Sequence, residues 1–391
     1  MRKLLRTFAA AATVAMLATA CADAPDETDE PTTEDGGEDT TEDGGDDGED
    51  AGDEGEDAAA AVTACQVTDT GGVDDRSFNQ TAFNGLERAE EDLGVTARVL
   101  ESTSEADFGP NIQTFVDEDC DLIVTVGFLL DAATQAAAQE NPDQKMAIID
   151  VDFAEFDADG NFVGDITYDN VRELTFATDQ AAFLAGYLSA GMTETGVVGT
   201  YGGINIPPVT IFMNGFLAGV LHHNDVKGTD VQVLGWDGTD GLFTGNFESQ
   251  EDGRNLTDQL LAGDADIIMP VAGPVGLGTT TAVEDANAAG ANAKVIWVDT
   301  DGFVSVPNAQ DLFLTSVQKK MDNAVYDQVE RVVNDNFEGG LYTGTLENDG
   351  VGIAPFHSFE DAVPQELKDE LDQLRTDIIG GMSVDPADYG A

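Results

Sequence analysis

From residue 62 onward two hydrophobic patterns alternate along the chain. Short runs of contiguous apolar and β-branched residues recur at 62–68, 97–100, 122–126, 146–149, 197–201, 231–235, 267–271 and 295–298. Between them lie segments whose apolar residues return every three or four positions, at 77–93, 112–119, 132–140, 209–222, 253–261 and 276–289. The first pattern predicts strands buried on both faces and the second predicts amphipathic helices. Their alternation through short Gly-rich joints predicts α/β architecture with parallel sheets covered by helices. Four strands precede residue 150 and four follow residue 195, so two doubly wound lobes are expected. Residues 170–192 read as one long helix, because Leu174, Ala177, Ala181, Leu184, Tyr187 and Leu188 follow the 3.6 period. The segment 311–317, a helix over about 319–336, strands at 341–346 and 351–353, and a last helix at 364–379 follow. Pro364 lies in the first turn of that helix and Gly380-Gly381 past its end. Elements left over after two half-folds imply that the chain crosses between lobes several times, making a hinge and a cleft. The expected limits are 62–170 plus 302–336 for the N-terminal lobe and 171–301 plus 337–391 for the C-terminal lobe.

Charge divides the 391 residues differently. Residues 1–21 contain no acid, open with Met1-Arg2-Lys3-Leu4-Leu5-Arg6, and continue through an Ala-rich apolar stretch to Cys21. This is a secretory signal, too short to span a bilayer permanently. Ala18-Thr19-Ala20-Cys21 resembles a bacterial lipobox, which predicts lipidation of Cys21; an ordinary signal peptide cleaved nearby is the alternative. Residues 22–61 carry 19 Asp or Glu and no Lys or Arg. They cannot bury enough apolar surface to offset ordering, and like charges extend them, so a disordered acidic tether is expected. A calcium-binding tract is the competing reading, without a ligand loop of fixed spacing to support it.

The remaining 330 residues hold 58 acids and 13 bases, within a formal charge of −61 for the whole chain. Such a field disfavours nucleic acid and anionic lipid as partners. It suits a protein working in high salt, where the Debye length falls to about 3 Å at 1 M. Three Cys exclude a disulfide scaffold, and three His leave little for a His-rich metal site, so no metal and no cofactor are expected. Cys65 and Cys120 fall in or beside the first and third strands, neighbours in many doubly wound sheets. They either pair or stay buried as free thiols, and the free form is the expectation.

Ligands of open α/β sheets bind beyond the carboxyl ends of the strands, so the residues after each strand are the candidates. After the first strand, Gly71-Gly72 permits a tight turn, Asp75 or Ser77 can cap the next helix, and Asp74 and Asn79 offer polar groups. Phe83 falls about one turn beyond Asn79 on much the same helix face. Two polar groups beside a ring fit a planar hydrogen-bonding ligand; a capped helix with a buried Phe is what composition alone favours. Phe128 follows the third strand, Asp150 and Asp152 the fourth, Gly273 the seventh, and Asp299 and Asp301 the eighth. Asp299, directly after its strand, ranks before Asp301. In so acidic a chain any one of these Asp can equally be surface.

The stretch Asp69-x-Gly71-Gly72-x-Asp74-Asp75-x-Ser77-Phe78-Asn79-Gln80-x-Ala82-Phe83-x-Gly85 resembles the opening motif of the basic membrane protein family. These are bacterial lipoproteins, many of which bind purine nucleosides for an ATP-binding-cassette importer. The resemblance continues at Gly202-Gly203-Ile204-Asn205-Ile206-Pro207-Pro208-Val209 with Phe212 and Gly215-Phe216-x-Ala218-Gly219. It recurs at Ala265-Asp266-Ile267-Ile268, Ala272-Gly273-Pro274-Val275-Gly276, Val298-Asp299-Thr300-Asp301 and Thr315-Ser316-Val317-Gln318-Lys319-Lys320. It implies a type I periplasmic-binding-protein fold with the nucleoside between the lobes. It further implies a clamp of two rings, Phe83 and Phe212, with Asp74 and Asn79 on the base edge. The sugar would meet Asp299 or Asp301, the backbone at Gly273, and Lys319. Core packing for Phe212 and charge balance for Lys319 are the plain alternatives.

The partners implied are a nucleoside-like small molecule, a permease with ATPase subunits, and the outer face of the cytoplasmic membrane through a lipid anchor. A receptor for a sugar or autoinducer on the same fold, or a secreted nucleoside hydrolase, are the competing functions. No Gly-x-Ser-x-Gly elbow, phosphate loop or dinucleotide fingerprint supports an enzyme.

Overall fold

The computed structural model describes residues 62–156 and 162–391. The signal segment, Cys21 and the acidic tether lie outside the described residues. The strands are β1 Thr63–Val67, β2 Thr96–Leu100, β3 Leu122–Val126, β4 Met146–Ile149, β5 Ala154–Phe156, β6 Phe162–Asp165, β7 Val171–Phe176, β8 Val197–Gly202, β9 Gln232–Leu234, β10 Ile267–Val271, β11 Lys294–Asp299, β12 Phe313–Lys319, β13 Gly340–Gly344 and β14 Val351–Ile353. The helices are α1 Phe78–Leu93, α2 Glu105–Asp117, α3 Asp131–Glu140, α4 Thr178–Met192, α5 Pro207–Lys227, α6 Gln250–Ala262, α7 Gly276–Ala288, α8 Gly302–Ser305, α9 Met321–Val333 and α10 Gln365–Ile379.

Two six-stranded sheets organise these elements, in the orders β13-β7-β4-β3-β1-β2 and β14-β12-β11-β10-β8-β9. Position by position they correspond: β1 with β8, β3 with β10, β4 with β11, β7 with β12. All neighbours pair parallel except β14, which runs antiparallel to β12. The central strands β3, β10 and β11 are buried at every residue. That is why their sequences are unbroken apolar runs rather than alternating ones: helices cover both faces.

The chain crosses between the sheets three times. It leaves the first after Phe176, and α4 packs against α5, β12 and β14. It returns after Lys319, where α9 packs on α1 and β13 joins the first sheet. After Gly344 it crosses back to β14. The single helix expected at 170–192 is therefore a strand followed by a helix. Val171–Phe176 adds β7 to the first sheet with the burial of an inserted strand, and only 178–192 is helical. Its β-branched and aromatic residues fit a pleated surface, and Leu174 satisfies both periodicities. The lobe limits move accordingly. β7 belongs to the first sheet although placed after the expected boundary, β12 to the second although assigned to the first, and β13 to the first although assigned to the second.

The cysteines correct another expectation. Cys65 and Cys120 form a disulfide, with Cα atoms 6.3 Å apart. Parallel pairing of β1 with β3 brings Cys120, two residues before β3, beside Cys65. Both are buried.

Candidate ligand-binding cleft

The carboxyl ends of β1, β3 and β4 from one sheet and of β10, β11 and β12 from the other border one cavity. Aromatic rings come from both lobes: Phe78 and Phe128 from the first, Phe212 and Phe247 from the second.

One cation stands among four carboxyls. Lys319, the last residue of β12, is buried; its Nζ lies 2.6 Å from Asp150 Oδ2 and 3.8 Å from Asp299 Oδ1. The two aspartates occupy equivalent places, one residue past β4 and the last of β11. Both have left-handed backbones, φ 66° and 67°. Asp is among the few side chains that tolerate this region, and such residues gather at functional sites. Burial pushes both carboxyls up; the neighbouring Lys319 ammonium opposes the shift in each. The same ammonium lies 4.9 Å from the centroid of Phe78 and 5.3 Å from that of Phe212, within cation–π range of rings from opposite lobes.

The first turn of α1 supplies the remaining polar groups. Asp75 accepts from the backbone N–H groups of Ser77 (2.9 Å), Asn79 (2.7 Å) and Gln80 (3.1 Å), holding the helix start. Burial pushes its carboxyl up to about 7, against the pull of those donors. Asn79 donates from Nδ2 to Asp69 Oδ1 at 2.7 Å, and Asp69 also accepts from the Gly71 N–H at 3.1 Å. Burial raises the Asp69 carboxyl as well. The other end of the amide, Asn79 Oδ1, is buried and has no hydrogen-bond partner. A buried acceptor without a donor is costly, and a ligand N–H or O–H would relieve it.

Of the residues expected at the site, Asn79, Phe128, Asp150, Phe212, Gly273, Asp299 and Lys319 border this cavity. Gly273 has φ 54° and open space where a side chain would begin, which keeps the cavity wall at backbone level. Lys319 is not at a helix start, as its expected helix implied, but at a strand end. Asp74, Phe83 and Asp301 are not among the lining residues. Asp74 is exposed, because the turn directs the next acid, Asp75, inward. Phe83 packs against the hydrophobic core. It lies five residues past Phe78, about 7.5 Å along the helix axis, while the cavity lies at the helix start. Asp301 caps α8, accepting from the Phe303 N–H at 3.1 Å, and pairs with His357 Nε2 at 2.7 Å. Asp152 is likewise exposed and outside the lining. Phe78, Asp69, Asp75 and Phe247 line the cavity without having been singled out as contacts. Counting residues from the helix start, rather than matching helix faces, would have selected Phe78.

Among the described residues no three His, Cys, Asp or Glu are arranged to hold a metal ion. No described helix is long and apolar enough to cross a membrane. The family described as ABC transporter substrate-binding protein PnrA-like, Bmp, matches residues 62–384. The chain belongs to the Bmp family. Its fold is the type I periplasmic-binding-protein fold, and as a Bmp protein it is an ABC transporter substrate-binding protein. It is 30% identical to the ABC transporter nucleoside-binding protein BmpA of Lactococcus lactis, across 83% of this chain and 89% of that one. It is 32% identical to an uncharacterized lipoprotein of Pyrococcus abyssi, across 75% of this chain and 69% of the other. Among solved structures, a solute-binding protein of an ABC transporter system from Aeropyrum pernix superposes with a TM-score of 0.71. That match has 27% identity and covers 82% of this chain and 92% of that one.

Proposed function

We propose that this Bmp protein captures a purine nucleoside in the interlobe cavity and presents it, with the lobes closed, to a permease driven by ATPase subunits. The observation that carries the reading is the convergence of rings from both lobes on a polar cluster containing an unpartnered buried amide oxygen. Phe78 and Phe212 stack on the base, each worth roughly 1–3 kcal/mol by truncation. Asn79 Oδ1 accepts from the base edge. Asp299, with Lys319 and Asp150, holds the ribose hydroxyls, and the bare backbone at Gly273 lets the sugar approach. Closure assembles contacts from both lobes at once, so ligand and closed state favour each other. The nucleoside-binding name of the Lactococcus relative supports the same ligand class.

The place of work is the outer face of the cytoplasmic membrane, with Cys21 as the lipid-bearing residue. A disulfide within the folded body supports an oxidising, extracytoplasmic compartment, and the Pyrococcus relative is named a lipoprotein. Calorimetric titration in molar salt with inosine, guanosine, adenosine and free sugars tests the ligand. Saturable binding of purine nucleosides without release of free base is expected. Binding of a sugar alone, or chromatographic appearance of the free base, would sink the reading.

A further inference from the structure

Ser77 stands at the N-cap of α1, where serine ordinarily accepts from the first-turn N–H groups. It makes no such bond here. Asp75 has taken over the capping, with both carboxylate oxygens engaged by backbone donors of that turn. The Ser77 hydroxyl, fully buried, is thereby released. It reaches across to the other lobe and donates to Asp299 Oδ2 at 2.7 Å, with Val298 O at 3.3 Å. Asp299 is held on its other side by Lys319, 3.8 Å from Oδ1. Its carboxylate therefore has one oxygen tied to the first lobe and the other directed at the cation of its own lobe.

We propose that Ser77 is a positioning residue: its hydroxyl fixes the plane of the Asp299 carboxylate, and does so only when the lobes are closed. The inference rests on the nucleoside reading above, in which Asp299 meets the ribose. A carboxylate offers about four lone-pair sites, and two vicinal hydroxyls need two of them at a set angle. A carboxylate free to rotate must be ordered by the ligand, which weakens binding; one already fixed from across the cleft is preorganised. Because the donor sits on the opposite lobe, the fixing is absent from the open form. Ser77 thus ties recognition of the sugar diol to closure, and its contribution belongs to the dissociation rate more than to the association rate.

The test compares inosine with 2′-deoxyinosine on wild type, Ser77→Ala, Ser77→Cys and Asp299→Asn, in molar salt. Hydrogen bonds to charged groups set the expected size, roughly a tenfold loss of inosine affinity in Ser77→Ala, carried by faster release. The deoxy ligand, which lacks one hydroxyl of the diol, is expected to lose less, so the preference for ribose shrinks by about threefold or more. Ser77→Cys keeps the shape with a weak donor and falls between. In the Asp299→Asn background the Ser77→Ala change adds little, since the two groups act as a unit. Asp75 still caps α1, so the melting temperature of Ser77→Ala stays near that of wild type and vouches for folding. Equal losses for both nucleosides, or additive effects of the two substitutions, would show that Ser77 acts through lobe packing alone and overturn the inference. Failure of wild type to bind any nucleoside overturns the nucleoside reading and this inference with it. Nucleoside binding with an unchanged ribose preference in Ser77→Ala overturns this inference alone.

Discussion

Phe78 and Phe83 lie on one helix, and only the first borders the cavity. Phe78→Ala is expected to weaken purine nucleoside binding by roughly 10- to 100-fold, the range of one lost base–ring stack. Phe83→Ala should leave affinity within about twofold while lowering stability by about 1–3 kcal/mol, less than a fully buried ring because Phe83 is only half-buried. Titration and denaturation of both variants separate the roles, and the opposite pattern would return Phe83 to the site. Glu173, in the middle of β7, sets a second residue-scale prediction. It is buried, accepts from the Phe153 N–H at 2.9 Å, and has Asp152 and Asp165 nearby. Burial first, and those acids next, push its carboxyl up to about 7. Between about 4.3, the unfolded value, and about 7 the folded chain holds a proton that the unfolded chain has released. The resulting stability is complete below that window and is lost as pH rises through it. Glu173→Gln removes the titration, so its melting temperature relative to wild type should climb by several degrees from about pH 5 to about pH 8. A difference flat in pH counts against this account. The cavity lining was legible where a residue stands at or just past a strand end, as at Asp150, Gly273 and Asp299. It was not legible at the α1 start, where Asp74 and Asp75 are identical in chemistry and a single turn decides which faces inward.

Elements whose two faces are both covered leave the clearest trace, and β3, β4 and β10 span the residues their apolar runs predict. β7 did not, because six residues of strand adjoin a helix through Ala177 with no Gly or Pro between them. Spacing also cannot reveal that Cys65 and Cys120 are close, since that follows from the order of strands in the sheet. Their bond closes a separation of 55 residues. Replacing both by Ala should lower stability by about 2–4 kcal/mol, read by denaturation in molar salt; reduction of the wild type during unfolding should give a similar loss. An unchanged midpoint would mean that the bond adds nothing to the packing around it. Helix contacts carry a comparable constraint. A Cβ on Gly219 of α5 would lie 2.0 Å from the Phe183 carbonyl oxygen of α4, closer than any real contact. Gly219→Ala is therefore expected to push the helices apart and cost about 1–3 kcal/mol. Because α4 begins at a crossing between lobes, ligand affinity should fall together with the unfolding midpoint. A variant as stable as wild type would show that the two helices can separate freely.

At the scale of the whole molecule, charge opposes the motion that the site requires. Residues 62–176 contain 25 Asp or Glu against 5 Lys or Arg, and residues 177–320 contain 17 against 5. Both lobes are strongly acidic, and closing the cleft brings two like-charged bodies together. The field between them extends about 10 Å at 0.1 M salt and about 3 Å at 1 M. Salt therefore lowers the work of closure even when the ligand carries no charge. A neutral nucleoside has no ionic attraction of its own to screen, so any rise in its affinity with salt reports the repulsion between lobes. Affinity for inosine is expected to increase several-fold from about 0.1 M to about 1 M sodium chloride, with most of the change at the low end, where the Debye length shortens fastest. Sucrose is the control, since it strengthens burial by exclusion from the surface without screening charge. It should raise the melting temperature and leave the salt dependence of affinity in place. If affinity stays flat while the melting temperature climbs with salt, the acidic coat acts on folding alone and closure proceeds without electrostatic opposition.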